Sequence, residues 1–304
     1  PALFNTEYGV VETTYTEADE SYAAKRRSQK SGVRTRQLPG VSPLVFSRFL
    51  LEKTAFLSLS DMGKALPSYE EIPIACEMAE AVETEYKRIE HKLVQVLRPA
   101  RRAAKKILSA YLNLLTVYAD QPYDQKPILY PDSDVPIVEP ENIGDADTLG
   151  EKEQRTLEIV RAAIQNGERA LIYTSWVRTD SQQKLKRFLT DEGYHTEILT
   201  DKIKTTDREE WVQKKLAAGM QVLIVNPSLI ETGLDLNAFT TLVFYSMGYK
   251  LFTLRQASRR SWRINQKAPA VKVYMLYYED TMQQKCLKLM ASKLAVAGLI
   301  VGNF

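Results

Sequence analysis

From Met78 onward the apolar residues Val82, Tyr86, Ile89, Leu93 and Val96 recur at steps of four and three, which places them on one face of a helix. Pro99 interrupts that pattern, and Ile107, Tyr111, Leu114 and Tyr118 resume it. Residues 77–119 therefore predict two helices, or one long kinked helix. Beyond residue 153 the texture changes. The runs "ALIYT" (170–174), "TEIL" (196–199), "QVLIV" (221–225), "TLVFY" (241–245) and "VKVYMLYY" (271–278) are short, apolar and rich in β-branched and aromatic residues, which predicts strands. Helical patterns lie between most of them. One carries Leu185, Phe188 and Leu189 before a stop at Gly193, and another opens with Thr206 and Glu209 as a capping box and stops at Gly219. Strands and helices alternating at this spacing predict an α/β fold, a parallel sheet covered on both faces, preceded by a mainly helical region.

Two stretches follow neither period. Residues 1–45 are polar and turn-rich, with a basic cluster of Lys25, Arg26, Arg27, Lys30, Arg34 and Arg36. They read as an irregular, solvated segment. Between Asp132 and Glu153 eight acidic residues face one lysine, with prolines at 136 and 140, the composition of a linker. The expected organisation is an irregular segment over 1–45, a helical region over 46–131, an acidic linker over 132–153 and an α/β lobe over 154–304.

Composition narrows the function classes. The chain has 304 residues, 44% of them hydrophobic, and no apolar run approaches the roughly 18 to 20 residues of a membrane span. Neither a membrane span nor an export signal is expected. Two cysteines and two histidines, far apart, are too few for a zinc site or a disulfide framework. This predicts a reducing compartment, cytoplasmic or nuclear, and no metal held by the chain itself. A net charge of +3 makes no case for nucleic acid, so any such case rests on local patches.

The sharpest patch is "TLRQASRRSWRINQ" (253–266), with four arginines, two glutamines and no acid. Taken as a helix from Leu251 through Arg263, it sets Gln256, Arg260 and Arg263 at i, i+4 and i+7, within about 60° of one another. Leu251, Leu254, Ser258, Ser261 and Trp262 fall on the opposite side and would lie on the sheet. A guanidinium is always charged and offers a rigid fork of donors suited to phosphoryl oxygens. The plainer alternative is a solvated basic face. Upstream, "SLIETGLDL" (228–236) follows a predicted strand. Its Gly233 allows close backbone approach, and Asp235 can accept from a ribose hydroxyl or hold an arginine, although Gly-Leu-Asp is also an ordinary turn.

In this order, "ALIYTSW", "GLDL" and "QASRRSWRINQ" resemble motifs IV, V and VI of the second RecA-like lobe of a superfamily-two helicase, in its Swi/Snf branch. The counterparts are Gln256, Arg260, Arg263 and Ile264 to Gln266, then Val273, Tyr274, Thr281 and Lys285. "RFLLEKT" (48–54) followed by Leu66-Pro67 is similar to the family's segment leading out of the first lobe, and the helices of 77–119 are similar to its helical insertion. Arg259 stands where many helicases have glycine, Asn265 where the Swi/Snf branch has glycine, and Pro227 where motif V usually offers a threonine to DNA.

The resemblance implies the C-terminal motor lobe of an ATP-dependent double-stranded DNA translocase. It implies Arg263 and Arg260 as arginine fingers, and Gln256, Gly233 and Asp235 beside the nucleotide. Ser175, Trp176, Lys202 and Ser228 would touch the DNA backbone. No GxxxxGK[ST] loop occurs, so ATP and Mg²⁺, the latter held mainly elsewhere, would need a first RecA-like lobe, in the same protein or a separate subunit. "DEGYH" (191–195) is no substitute, because Asp191 and Glu192 end a predicted helix instead of following an apolar strand. The chain alone is expected to hydrolyse ATP poorly or not at all. The rival expectation is a degenerate lobe that binds DNA or a protein without catalysis. A sugar-nucleotide transferase lobe shares the alternation but does not predict the Gln, Arg, Arg set.

Overall fold

The structure, a computed structural model, describes residues 7–16, 32–41, 43–45, 48–49, 52–53, 66–97, 104–130, 133–175, 180–230, 234–246, 257, 260–263 and 266–300. Its contacts divide the chain into two units, Pro1–Ser58 with Ala295–Phe304, and Leu59–Leu294.

In the first unit β1 (Gly9–Thr16) and β2 (Gly32–Val41) pair antiparallel, with Val10 opposite Leu38, Thr16 opposite Gly32 and a register irregularity at Gly9/Val10. The expectation of an irregular segment over 1–45 is corrected here. The β-branched and aromatic run Val10, Val11, Thr13, Thr14, Tyr15, Thr16 favours extended backbone. Arg34 and Arg36 fall on β2, whereas Lys25 to Lys30 lie outside the described residues. After a single helical turn, Pro43–Val45, Arg48 donates to the Tyr8 hydroxyl at 3.0 Å, and the Phe49 ring meets Tyr8 edge-on at 5.4 Å.

The second unit opens with β3 (Ser68–Cys76), followed by α1 (Glu80–Leu97) and α2 (Ala104–Tyr118). A short antiparallel pair follows, β4 (Ile128–Leu129) with β5 (Pro136–Val138), and then α3 (Glu151–Gln165). The chain next alternates: β6 (Ala170–Tyr173), α4 (Ser181–Asp191), β7 (Thr196–Leu199), α5 (Arg208–Ala217), β8 (Val222–Val225), β9 (Thr241–Phe244), β10 (Ala270–Tyr278) and α6 (Met282–Ile300). Six strands form one parallel sheet in the order β3-β10-β9-β6-β8-β7.

All five strands expected from apolar runs are in this sheet. Strands covered on both faces read as continuous apolar runs because neither side meets water. Leu171, Tyr173, Leu223, Val225, Leu242, Phe244, Val271 and Val273 point to one face, over which Val212, Ala257, Cys286 and Met290 pack. Ala170, Ile172, Val222, Ile224, Val243 and Tyr245 point to the other, against Leu157 and Val160 of α3 and Leu185 and Leu189 of α4. Each such aliphatic side chain contributes about 1.5–3 kcal/mol when buried. Gly193 (φ +89) and Gly219 (φ +90) adopt the left-handed conformation just past α4 and α5, as their stop positions require. Asp191 ends α4, in keeping with the rejection of "DEGYH" as a catalytic box. The capping box at Thr206 and Glu209 does not form. α5 starts two residues after Thr206, behind a 3₁₀ turn, and the Thr206 hydroxyl donates to Asp207 at 2.6 Å.

β3 is an addition that the apolar runs did not announce. "SYEEIPIAC" pairs on one side only, with β10, so its polar residues face water and Pro73 is tolerated at an edge. The helical pair follows the expected periodicity: Tyr86, Ile89, Leu93, Ile107, Tyr111, Leu114 and Tyr118 form one core that also takes in Cys76, Tyr278 and Met282. The acidic stretch, expected as a linker, is a strap on this pair. Val138 is buried, Glu141 N–H donates to Glu85 at 2.9 Å, and the carbonyls of Glu139 and Glu141 accept from Arg88 and Tyr118, both at 2.8 Å. Its backbone polar groups find partners while most of its carboxylates remain in solvent.

Where the strap becomes α3, two ion pairs are buried. Lys152 Nζ donates to Asp120 at 2.6 Å and to Gln283 Oε1 at 2.9 Å, and sits 4.9 Å and 5.2 Å from the ring centres of Tyr245 and Tyr278. Lys184 pairs with Glu153 at 2.6 Å, and Glu153 also accepts from the Tyr245 hydroxyl at 2.9 Å and from Gly150 N–H at 3.0 Å. These bonds stitch the end of α2 to the sheet and to α3, α4 and α6.

Candidate nucleotide and nucleic-acid sites

Two polar clusters collect the residues singled out from sequence. The first is the arginine stretch. Ala257 is buried on the sheet, and its carbonyl accepts from the Tyr173 hydroxyl at 3.0 Å. The chain then bends: residues 260–263 are not helical, which corrects the expectation of a helix through Arg263. Three side chains tie this stretch to neighbouring backbone carbonyls. Ser261 is fully buried and donates to the Leu236 carbonyl at 3.0 Å. Gln266 Nε2 donates to Asn237 O at 2.8 Å and to Ser261 O at 3.0 Å, and Trp262 Nε1 donates to Pro67 O at 2.8 Å. The bend is thereby tied to the "GLDL" loop that precedes β9.

Arg260 and Arg263 lie at the two ends of this non-helical stretch. Both are half-buried. Burial lowers the Arg260 guanidinium from its ordinary value, and the like charge of Arg263 lowers it further. Two partly buried arginines on one bend could serve an anion with several oxygens. Asp235 belongs to the same cluster, but both its oxygens accept from Asn237, at 3.1 Å from the backbone N–H and 3.2 Å from the side-chain amide. Gln256 and Gly233 lie outside the described residues.

The second cluster sits at the carboxyl ends of β6, β8 and β9, the rim where open parallel sheets bind ligands. Ser175 N–H donates to Ser246 Oγ at 2.8 Å, and Ser175 Oγ donates to the Ser246 carbonyl at 3.0 Å. Asn226 Nδ2 donates to Ser175 O at 3.2 Å, while its Oδ1 accepts from Ser228 N–H at 2.9 Å and Ser228 Oγ at 2.6 Å. Two expected DNA contacts, Ser175 and Ser228, are thus joined through Asn226, and Ser228 remains exposed. Sequence reasoning passed over Asn226 and Ser246. The available signal was a polar residue immediately beyond an apolar strand. Pro227 is buried and opens a 3₁₀ turn, Lys202 is exposed in the turn after β7, and Trp176 lies outside the described residues.

Residues 151–265, from the first turn of α3 through the arginine bend, match the helicase conserved C-terminal domain. No curated protein matches the sequence. Among solved structures, the C-terminal part of the Fun30 ATPase domain is similar at a TM-score of 0.59 and 14% identity, over 74% of this chain and 90% of that one. The C-terminal domain of the Sulfolobus solfataricus SWI2/SNF2 ATPase is similar at 0.55 and 16%, over 75% and 87%. The Sulfolobus solfataricus SWI2/SNF2 ATPase core in complex with dsDNA is similar at 0.56 and 17%, over 78% of this chain but only 47% of that one. Over residues 151–265 the chain is thus similar to the helicase conserved C-terminal domain, and it has the fold of the C-terminal domains of these ATPases.

Proposed function

We propose that this chain is the second motor lobe of an ATP-dependent translocase on double-stranded DNA, and that Arg263, with Arg260 beside it, reaches an ATP bound mainly by a first lobe. The observation that carries the reading is that Arg260 and Arg263, both partly buried, lie on a bend tied to the "GLDL" loop. Their chemistry fits a polyphosphate: each fork can meet two equatorial oxygens, and partial burial strengthens that attraction. When bound, ATP supplies the γ-phosphoryl group, and Mg²⁺ is held by the first lobe. The arginines neutralise charge that develops on the transferring group, an effect worth about 10³ to 10⁵ in rate in comparable enzymes. Gly233 and Gln256 would border the nucleotide. Asp235 would border it indirectly, since its carboxylate holds Asn237.

Ser175, Ser228 and Lys202, with Trp176, would follow the DNA backbone at the sheet rim. The dsDNA in the complex of the Sulfolobus solfataricus relative supports this assignment. The deciding experiment is an ATPase assay with and without duplex DNA, on this chain and on the chain joined to its first lobe. Turnover is expected only from the joined protein and is expected to rise with DNA. Rapid turnover by the chain alone would overturn the two-lobe reading.

A second reading, a non-catalytic lobe that holds DNA or a protein partner, is favoured by Pro227, buried where motif V usually offers a threonine hydroxyl. It predicts salt-steep DNA binding by the isolated chain together with a joined protein that stays inactive.

A further inference from the structure

The resemblance assigns no role to Trp262, yet it anchors the arginine bend to the entry of the edge strand β3. Its indole N–H donates to the carbonyl of Pro67 at 2.8 Å. Its ring lies 5.0 Å from that of Tyr69, tilted by 39°, and it packs against the core of the sheet. Pro67 and Tyr69 belong to the entry of β3, which a further bond fixes, Ser68 N–H donating to Pro269 O at 2.9 Å. The edge strand by which the chain enters this sheet is thus bonded to the residue between Arg260 and Arg263.

We propose that Trp262 is a positioning residue, which couples the chain segment entering at Pro67 to the orientation of Arg263. The inference rests on the proposed role of the arginine pair. Any displacement of the chain ahead of β3 acts on Pro67. The indole bond and the Tyr69 contact carry that displacement into a bend whose other ties, Ser261 to Leu236 and Gln266 to Asn237, hold it to the "GLDL" loop. A bend gripped from both sides can set two guanidiniums to within the fractions of an ångström that transition-state contacts demand.

Two substitutions in the joined two-lobe protein separate this role from plain packing. Trp262→Phe keeps an aromatic ring against Tyr69 but removes the donor. Trp262→His keeps a donor at the equivalent position of a five-membered ring while giving up ring area. Trp262→Phe is expected to lower DNA-stimulated kcat about five- to tenfold, the rate equivalent of one lost hydrogen bond, with KM for ATP within about twofold. Trp262→His is expected to retain more kcat than Trp262→Phe despite lower thermal stability. Rates that follow stability instead of the donor, or an unchanged kcat for Trp262→Phe, overturn the inference. Arg263→Ala, measured alongside, distinguishes the failures. If it abolishes turnover while Trp262→Phe is silent, only the coupling is wrong; if it too is silent, the role of the arginine pair is wrong and the coupling falls with it.

Discussion

The ion pairs around Lys152 and the arginine bend place cations in contrasting surroundings. Lys152 has no solvent-exposed surface and meets a carboxylate, an amide oxygen and two ring faces. Glu153, the next residue of α3, forms a second buried pair with Lys184 of α4. Burial pushes the Asp120 carboxyl upward, and Lys152 acts against it. Such a pair holds the helical region, the strap and the sheet in one arrangement, since removing either partner strands the other. At the bend, burial lowers the Arg260 guanidinium from its ordinary value, the charge of Arg263 lowers it further, and Tyr173 acts the other way. The difference separates two uses of a cation: Lys152 is fully enclosed by its partners and builds the fold, whereas Arg260 and Arg263 keep part of their surface in solvent, where a ligand can reach them.

This contrast can be broken by experiment. Lys152→Ala is expected to cost about 3–5 kcal/mol of chain stability in denaturant titrations, because Asp120 is left buried without its cation. The double replacement Lys152→Met with Asp120→Leu is expected to recover most of that loss. A double variant as unstable as the single one would refute the account of the buried pair. At the sheet rim, Asn226→Ala removes the link between Ser175 and Ser228 and is expected to cost about 1–2 kcal/mol, with weaker duplex binding by the joined protein. Unaltered DNA affinity would make the Asn226 network purely structural. Arg260→Gln, in contrast to Lys152→Ala, is expected to leave stability within about 0.5 kcal/mol, since the site is half exposed.

The smallest expected effect concerns Glu85. Burial pushes its carboxyl up, but the Arg88 fork, the Glu141 backbone N–H and nearby Lys92 outweigh burial and hold it below the ordinary carboxylate range. An acid depressed in the folded state stabilises fully above its unfolded pKa, about 4.3 for glutamate, and that stability is lost as pH falls through the folded value. Glu85→Gln should flatten the acid limb of a stability profile, and an unchanged limb would exclude this group as its source.

How far the sequence announced these regions follows from the same physics. The five apolar strands and the helical pair were readable because burial on two faces, or on one helical stripe, writes a period into the chain. β3 was not, since an edge strand keeps half its residues polar. The strap and the first turn of α3 were not, because Lys152 and Glu153 look like solvated charges until their partners, Asp120 and Lys184, arrive from distant segments. For the arginines, the helix expected through Arg263 is absent over residues 260–263. The bend that carries them is held by hydrogen bonds of Ser261, Trp262 and Gln266 that no periodicity encodes.

The most direct measurement is single-turnover ATP hydrolysis by the joined two-lobe protein bearing Arg263→Ala, with duplex affinity and the melting temperature of the variant recorded in parallel. The account predicts a rate lower by about 10³ to 10⁵, with affinity and melting temperature nearly unchanged. Hydrolysis at the parental rate would contradict it and return the arginine bend to an ordinary basic surface.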